Sequence, residues 1–159
     1  MLEGGALAEF TWLELLLRLG LASLLGLLLG FDRELRGRDA GIRTHALVAL
    51  SSAMIMVSSL MIYQQLRTEN FAPDPLRAIQ GLAQAIGFIA AGIIFVRRGS
   101  VVNMTTAANI WIAAAIGIAC GLGQYRVVLV GAGLALLLLT LLKAFERYLP
   151  SENEEKKSG

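Results

Sequence analysis

Apolar positions along this 159-residue chain fall in blocks of about twenty, separated by short polar stretches. A block of that length suits a helix crossing a hydrocarbon core roughly 30 Å thick. Five such blocks are legible: about Trp12 to Gly30, Thr44 to Tyr63, Ala78 to Val96, Thr105 to Gly123, and Val127 to Ala144. The fifth is the shortest unless Lys143 carries its ammonium to the interface on its aliphatic stem. The turn-punctuated alternation of a barrel is not repeated. The expected architecture is therefore an all-α membrane protein, a bundle of five transmembrane helices. Residues 1–150 read as one transmembrane domain, and 151–159 as a disordered polar tail. The first block lacks a basic n-region and a persuasive cleavage site, so it reads as a retained span and not as a signal peptide.

Composition sharpens this picture. Hydrophobic residues make up 56% of the chain and charged residues 16%, more apolar surface than a soluble domain of this size can bury. The net charge of +2 is distributed by topology. Arg33, Arg36, Arg38, Arg43, Arg97, Arg98, Lys143, Arg147, Lys156 and Lys157 lie on one side of the expected spans, against Arg67, Arg77 and Arg126 on the other. The positive-inside bias places the first loop, the third loop and the C-terminus in the cytoplasm. The N-terminus, with Glu3 and Glu9, is then outside. The basic balance describes orientation in a lipid bilayer and gives no ground for nucleic-acid binding.

The densest ionic chemistry lies between Phe31 and His45. Asp32 precedes Arg36 by four residues, and Glu34 precedes Arg38 by four, the spacing of helical ion pairs. If the first helix continues into this stretch, Gly37 or Gly41 ends it and Arg43 and Thr44 open the next. The loop serves either as an electrostatic anchor gripping anionic headgroups or as a docking or ligand site. Asp74-Pro75-Leu76-Arg77 suits a helix start, with Asp as cap and Pro in the first turn; Arg77 then pairs with Asp74 or an acidic lipid. His45, the single histidine, reads as a capping or interfacial hydrogen-bonding residue. Cys120, the single cysteine, reads as a small buried hydrophobe. No nucleophile–base constellation, zinc spacing or phosphate-cradling loop is visible, so neither an enzyme nor a cofactor is expected.

Inside the spans, small residues are spaced for close helix contact: Gly26 and Gly30, then Ala83, Gly87 and Ala91, then Ala113, Gly117 and Gly121. They serve packing within the bundle, or an interface with a second copy or another membrane protein. Polar residues in spans need a reason. Gln80 and Gln84 are one turn apart, as are Thr105 and Asn109, with Thr106 beside them. These read as interhelical hydrogen bonds or as a polar pathway. Glu14 and Arg18, also one turn apart, are expected to neutralise each other.

Several segments in order resemble the MgtC/SapB family of bacterial inner-membrane proteins. They are Gly30-Phe-Asp-Arg-Glu34, Ala40-Gly-Ile-Arg-Thr-His-Ala-Leu-Val48, Asp74-Pro-Leu-Arg77, Ile86-Gly-Phe-Ile-Ala-Ala-Gly92, Thr105-Thr-Ala-Ala-Asn-Ile-Trp111, Ala113-Ala-Ala-Ile-Gly117 and Gly121-Leu-Gly-Gln-Tyr125. Family members usually carry Glu at Asp32, Ser-Gly at Gln84-Ala85, Gly at Ala90 and Gly-Leu at Asn103-Met104. The resemblance covers the family's membrane domain. It implies a multi-pass protein of the bacterial inner membrane concerned with adaptation to low magnesium. It allows either a regulator that binds another membrane protein or a transporter of Mg²⁺ or another ion.

Magnesium prefers octahedral oxygen ligands and keeps several waters, so one or two carboxylates suffice. The candidates are Asp32, Glu34, Asp39 and Asp74, each with an arginine within four residues to compete for the carboxylate. No expected span carries a carboxylate at mid-membrane to relay an ion. The residue chemistry therefore favours the regulator over the transporter.

Overall fold

The computed structural model describes residues 10–35, 37, 40–69, 71–97 and 100–146, with side chains at all of these except 97 and 142–146. Within them run α1 (Trp12–Leu35), α2 (Ile42–Leu66), α3 (Leu76–Ile93), α4 (Met104–Gly121) and α5 (Tyr125–Glu146). Glu3, Glu9, Arg36, Arg38, Asp39, Arg98, Arg147, Lys156, Lys157 and the tail lie outside the described residues, as do the side chains of Arg97 and Lys143. The chain is an all-α bundle, and α1 to α4 are each long and apolar enough to cross a membrane.

Where α1 and α2 cross, side chains are reduced to hydrogen. A Cβ on Gly30 would stand 2.6 Å from the Ile42 Cα, and one on Gly26 would stand 2.7 Å from the Ala46 Cα. The same device joins α2 to α4. A Cβ on Gly117 would overlap the Ala49 carbonyl, and one on Gly121 would stand 2.7 Å from the Ala53 oxygen. Dispersion over such backbone contacts holds helices together where lipid removes the hydrophobic incentive. Thus α2 lies between α1 and α4, antiparallel to the first and parallel to the second.

The fourth helix is the hub, with eleven of its 18 residues buried. On one side α5 sets Val128, Ala132 and Ala135 into a cluster with Ala22, Ala53, Ala113 and Ile116. On another, Ile86 of α3 meets Ile110, Ala114 and Ala40. The buried stripe of α3 is Leu82, Ile86 and Ala90, one residue out of phase with the expected stripe of Ala83, Gly87 and Ala91. A Cβ on Gly87 would meet nothing within 4 Å, and Ala91 is exposed, so neither packs closely within the chain. The reason is rotational: one residue turns a helical side chain by about 100°, and the bulkier stripe fills the space beside Ile110.

Two further expectations change. The third span ends at Ile93, three residues before Val96, because Phe95–Arg97 and Ser100–Val102 form an antiparallel hairpin. Its register sets Phe95 opposite Val102 and Val96 opposite Val101. Asn103 then enters α4 at φ 67°, a left-handed conformation open to Gly or Asn. That accounts for asparagine where the resembled family carries glycine. Arg18 turns away from Glu14. Glu14 instead accepts from the Thr11 backbone N–H at 3.0 Å while Thr11 caps the Glu14 N–H, a reciprocal capping box.

Arg18 serves the far end of α4. Its Nη1 donates to the Gly121 oxygen at 2.6 Å, and its guanidinium stacks over Phe10 at 4.3 Å. A cation there suits the negative end of the helix dipole. Beyond it Gly123 adopts φ 72°, with Gly123 N–H bonded to Cys120 O and Gln124 N–H to Ala119 O, the Schellman closure. Cys120 is fully buried in the core beside it. Outward, Leu16, Leu24, Leu27, Leu28, Phe88, Leu129 and Leu134 are all exposed, a continuous apolar girdle suited to lipid.

Candidate functional site

At the opposite end of the bundle a charged side chain is drawn inside. Arg33, in the last turn of α1, is only 4% exposed. It points at the first turns of α4, where Thr106 and Asn109 share one face with Ala113 and Gly117. With its amide oxygen turned to the guanidinium, Asn109 accepts from Arg33 Nε at 2.6 Å and from Nη2 at 3.2 Å. Thr106 Oγ1 accepts from Nη2 at 3.4 Å. Bonds to an ionised donor in a dry site contribute about 1.5–3 kcal/mol each, so this contact ties α1 firmly to α4.

His45 completes the knot from α2. Its ring is fully buried, and Nδ1–H donates to the Gly41 oxygen at 2.8 Å, one turn back. That bond selects the tautomer leaving Nε2 as an acceptor, and Nε2 has no partner among the described residues. The ring lies in the field of the Arg33 guanidinium. The expected capping or interfacial hydrogen-bonding residue does hydrogen-bond at the start of α2, to the Gly41 oxygen, but it is buried, because close approach at Gly26 and Gly30 presses α1 over this end and covers it.

The loop motif has a local logic. Glu34 Oε2 accepts from the Ile42 N–H at 3.1 Å, so a carboxylate supplies the cap for α2. A Cβ on Gly41 would occupy the space of that carboxylate, which accounts for glycine there. Helix α1 therefore runs on to Leu35, and α2 opens at Ile42, two residues before Thr44. Asp32 is half-buried, while Arg43 and Thr44 are exposed. The two i,i+4 partners, Arg36 and Arg38, lie outside the described residues.

The remaining sequence candidates are dispersed. Asp74 Oδ1 accepts from the Leu76 N–H at 2.9 Å and caps α3, with Arg77 exposed beside it. Gln80 and Gln84 point outward from α3 and do not approach Thr106 or Asn109, and Thr105 is exposed. No cluster of three or more His, Cys, Asp or Glu side chains able to hold a metal exists among the described residues. Asp32, Glu34 and Asp74 do not converge.

What sequence reading missed is the pairing of Arg33 with Asn109 and Thr106. The signal was present in helix direction: with alternating spans, the end of the first meets the start of the fourth. Thr106, Asn109, Ala113 and Gly117 then share the face that presents two small residues and two acceptors.

A glycine-packed bundle of membrane-spanning helices with a buried arginine at the charged-loop end defines a class: a multi-pass membrane protein with no visible reaction centre among its described residues. The MgtC family pattern matches residues 19–148, and the chain belongs to that family. It is 36% identical over 141 residues to "Putative magnesium transporter YhiD" of Escherichia coli, covering 88% of this chain and 66% of that protein. It is 38% identical over 151 residues to protein SrpB of Synechococcus elongatus, covering 89% and 81%. It is 40% identical over 112 residues to protein MgtC of Salmonella typhimurium, covering 70% and 45%. The chain thus spans less than two thirds of the YhiD and MgtC proteins. No solved structure matches it. Together these findings make it a multi-pass membrane protein of the MgtC family, with bacterial relatives.

Proposed function

We propose that this chain is an inner-membrane regulator in magnesium homeostasis that acts by binding another membrane protein, alone or beside a second copy of itself. The observation that carries this reading is the Arg33–Asn109–Thr106 tie with His45 beneath it. It makes the charged-loop end a preformed surface. Around the tie, Phe31, Glu34, Leu35, Arg43, Thr44, Val101, Met104 and Thr105 are exposed, mixing apolar and ionic groups as a docking patch does. A bound partner meets a rigid platform, which lowers the ordering cost of association.

The positive-inside bias supports placing this end in the cytoplasm and the N-terminus outside. Exposed Glu69, between α2 and α3, tests it. In a Cys120→Ala background, Glu69→Cys is expected to react with a membrane-impermeant maleimide added from outside the inner membrane. Labelling only after the membrane is breached would reverse the orientation.

A second reading, Mg²⁺ transport, is favoured by the likeness to the Escherichia coli protein named "Putative magnesium transporter YhiD". Against it stands the sealed centre: α1, α2 and α4 meet backbone to backbone at Gly26, Gly30, Gly117 and Gly121. Two described grooves, about 500 Å³ beside Leu17, Gly20 and Tyr125 and about 410 Å³ beside Met54, Ser58 and Ile62, open to the apolar perimeter. A hydrated dication has no oxygen-lined route through such surfaces. Purified protein in liposomes with a trapped Mg²⁺ dye is expected to give no saturable flux above protein-free vesicles. Saturable flux abolished by Asp32→Asn or Asp74→Asn would replace the regulator with a transporter.

A further inference from the structure

The outer face of α3 carries chemistry that lipid does not satisfy. Opposite the buried Leu82, Ile86 and Ala90, the residues Arg77, Gln80, Gln84, Gly87 and Ala91 recur at spacings of three and four. That is the seam of a left-handed helix pair. Gln80 and Gln84 are exposed, and neither amide has a hydrogen-bond partner among the described residues. Gln84 lies eight residues into the helix, about 12 Å from its start at 1.5 Å per residue, well inside a helix long and apolar enough to cross a membrane. Gly87 offers open space to a neighbour, and a Cβ there would meet nothing within 4 Å.

We propose that this seam is a homodimer interface in which α3 of one copy packs in parallel against α3 of a second copy of this chain. The identity of the occupant follows from self-complementarity. A glutamine amide is both donor and acceptor, so equivalent glutamines facing a two-fold axis satisfy each other. All copies insert in one orientation, so that axis is normal to the membrane and brings equal depths together. At the start of the seam Asp74 and Arg77 are both exposed, and neither forms an ion pair with a described residue. Across the same axis the Arg77 side chain of each copy reaches along the seam toward the acid of the other, about one turn away. Arginine alone would repel its twin; the Asp–Arg pair converts that repulsion into register. Gly87 and Ala91 then let the far halves of the two helices approach.

The inference rests on the reading that this chain works by binding in the membrane, and it names one partner. Its test leaves magnesium flux and heterologous capture as separate experiments. In a Cys120→Ala background, Ala91→Cys lies in the seam and Ile89→Cys on the lipid-facing flank of the same helix. Membranes carrying each variant are treated with a short bis-maleimide. Ala91→Cys is expected to yield a band of twice the chain mass and Ile89→Cys only background. Adding Gln80→Leu and Gln84→Leu to Ala91→Cys is expected to weaken association roughly tenfold, read from the dilution of protein into lipid at which the band is lost. Equal cross-linking at Ala91→Cys and Ile89→Cys, or no loss on removing both glutamines, would overturn the proposal. So would a seam cross-link to a protein of different mass in place of the doubled chain.

Discussion

Replacing Gly117 by alanine is expected to destabilise the bundle by about 1–3 kcal/mol, the cost of overpacking a well-filled core. The added methyl would overlap the Ala49 oxygen and stand 2.9 Å from the Ala49 Cα. Both are backbone atoms of α2, so no side-chain rotamer relieves the clash. The helices must separate, and Gly121 and Ala53 one turn on lose contact with them. Gly131 and Gly133 provide the control, since a Cβ on either meets nothing within 4 Å. Alanine at those positions is expected to be neutral or stabilising by about 0.5–1 kcal/mol, because it restricts the unfolded chain. Thermal unfolding of the three variants in one detergent decides the matter. Equal behaviour of Gly117→Ala and Gly131→Ala would remove the close α2–α4 contact from the account.

The second large effect is at the arginine knot. Asn109→Leu removes the oxygen that accepts from Arg33 Nε at 2.6 Å and Nη2 at 3.2 Å, at a site where Arg33 is 4% exposed. Burying a guanidinium with a lost acceptor is expected to cost about 3 kcal/mol. Arg33→Met leaves Asn109 and Thr106 without their donor and is expected to cost about 2 kcal/mol. The two changes share one interaction, so the double variant is expected to be no worse than Asn109→Leu alone, with a coupling of at least about 2 kcal/mol. Simple additivity in a double-mutant cycle would show that the two side chains act independently. Conformational loosening of this end is expected to accompany the singles, read as faster proteolysis after Leu35.

Much of the bundle is legible in the chain by itself. Five apolar blocks define five helices, four of them long and apolar enough to cross a membrane, because a lipid-spanning segment must satisfy its own backbone and has a length set by the bilayer. The glycine pairs Gly26–Gly30 and Gly117–Gly121 mark close approach for the same local reason. So does the Asp74 cap, whose acceptor and donor are two residues apart.

Rotation, register and burial of polar groups belong to the tertiary structure. The face of α3 that enters the core is set by Ile110 and Ala114 on another helix, so the sequence stripe of Ala83, Gly87 and Ala91 pointed one residue off. The Phe95–Val102 hairpin depends on two three-residue strands too short to register in an apolar pattern. Arg18 has an acid one turn away and still binds Gly121 O, 103 residues distant. Arg33 stands between Asp32 and Glu34 in the last turn of α1 and still reaches Asn109 across the bundle. Local spacing sets which partners are near along the chain, whereas a buried charge takes the acceptors that packing leaves beside it. Helix formation and membrane insertion are short-range or compositional effects and can be read from the chain. The polar knot is a long-range one, decided only when α1, α2 and α4 close on each other.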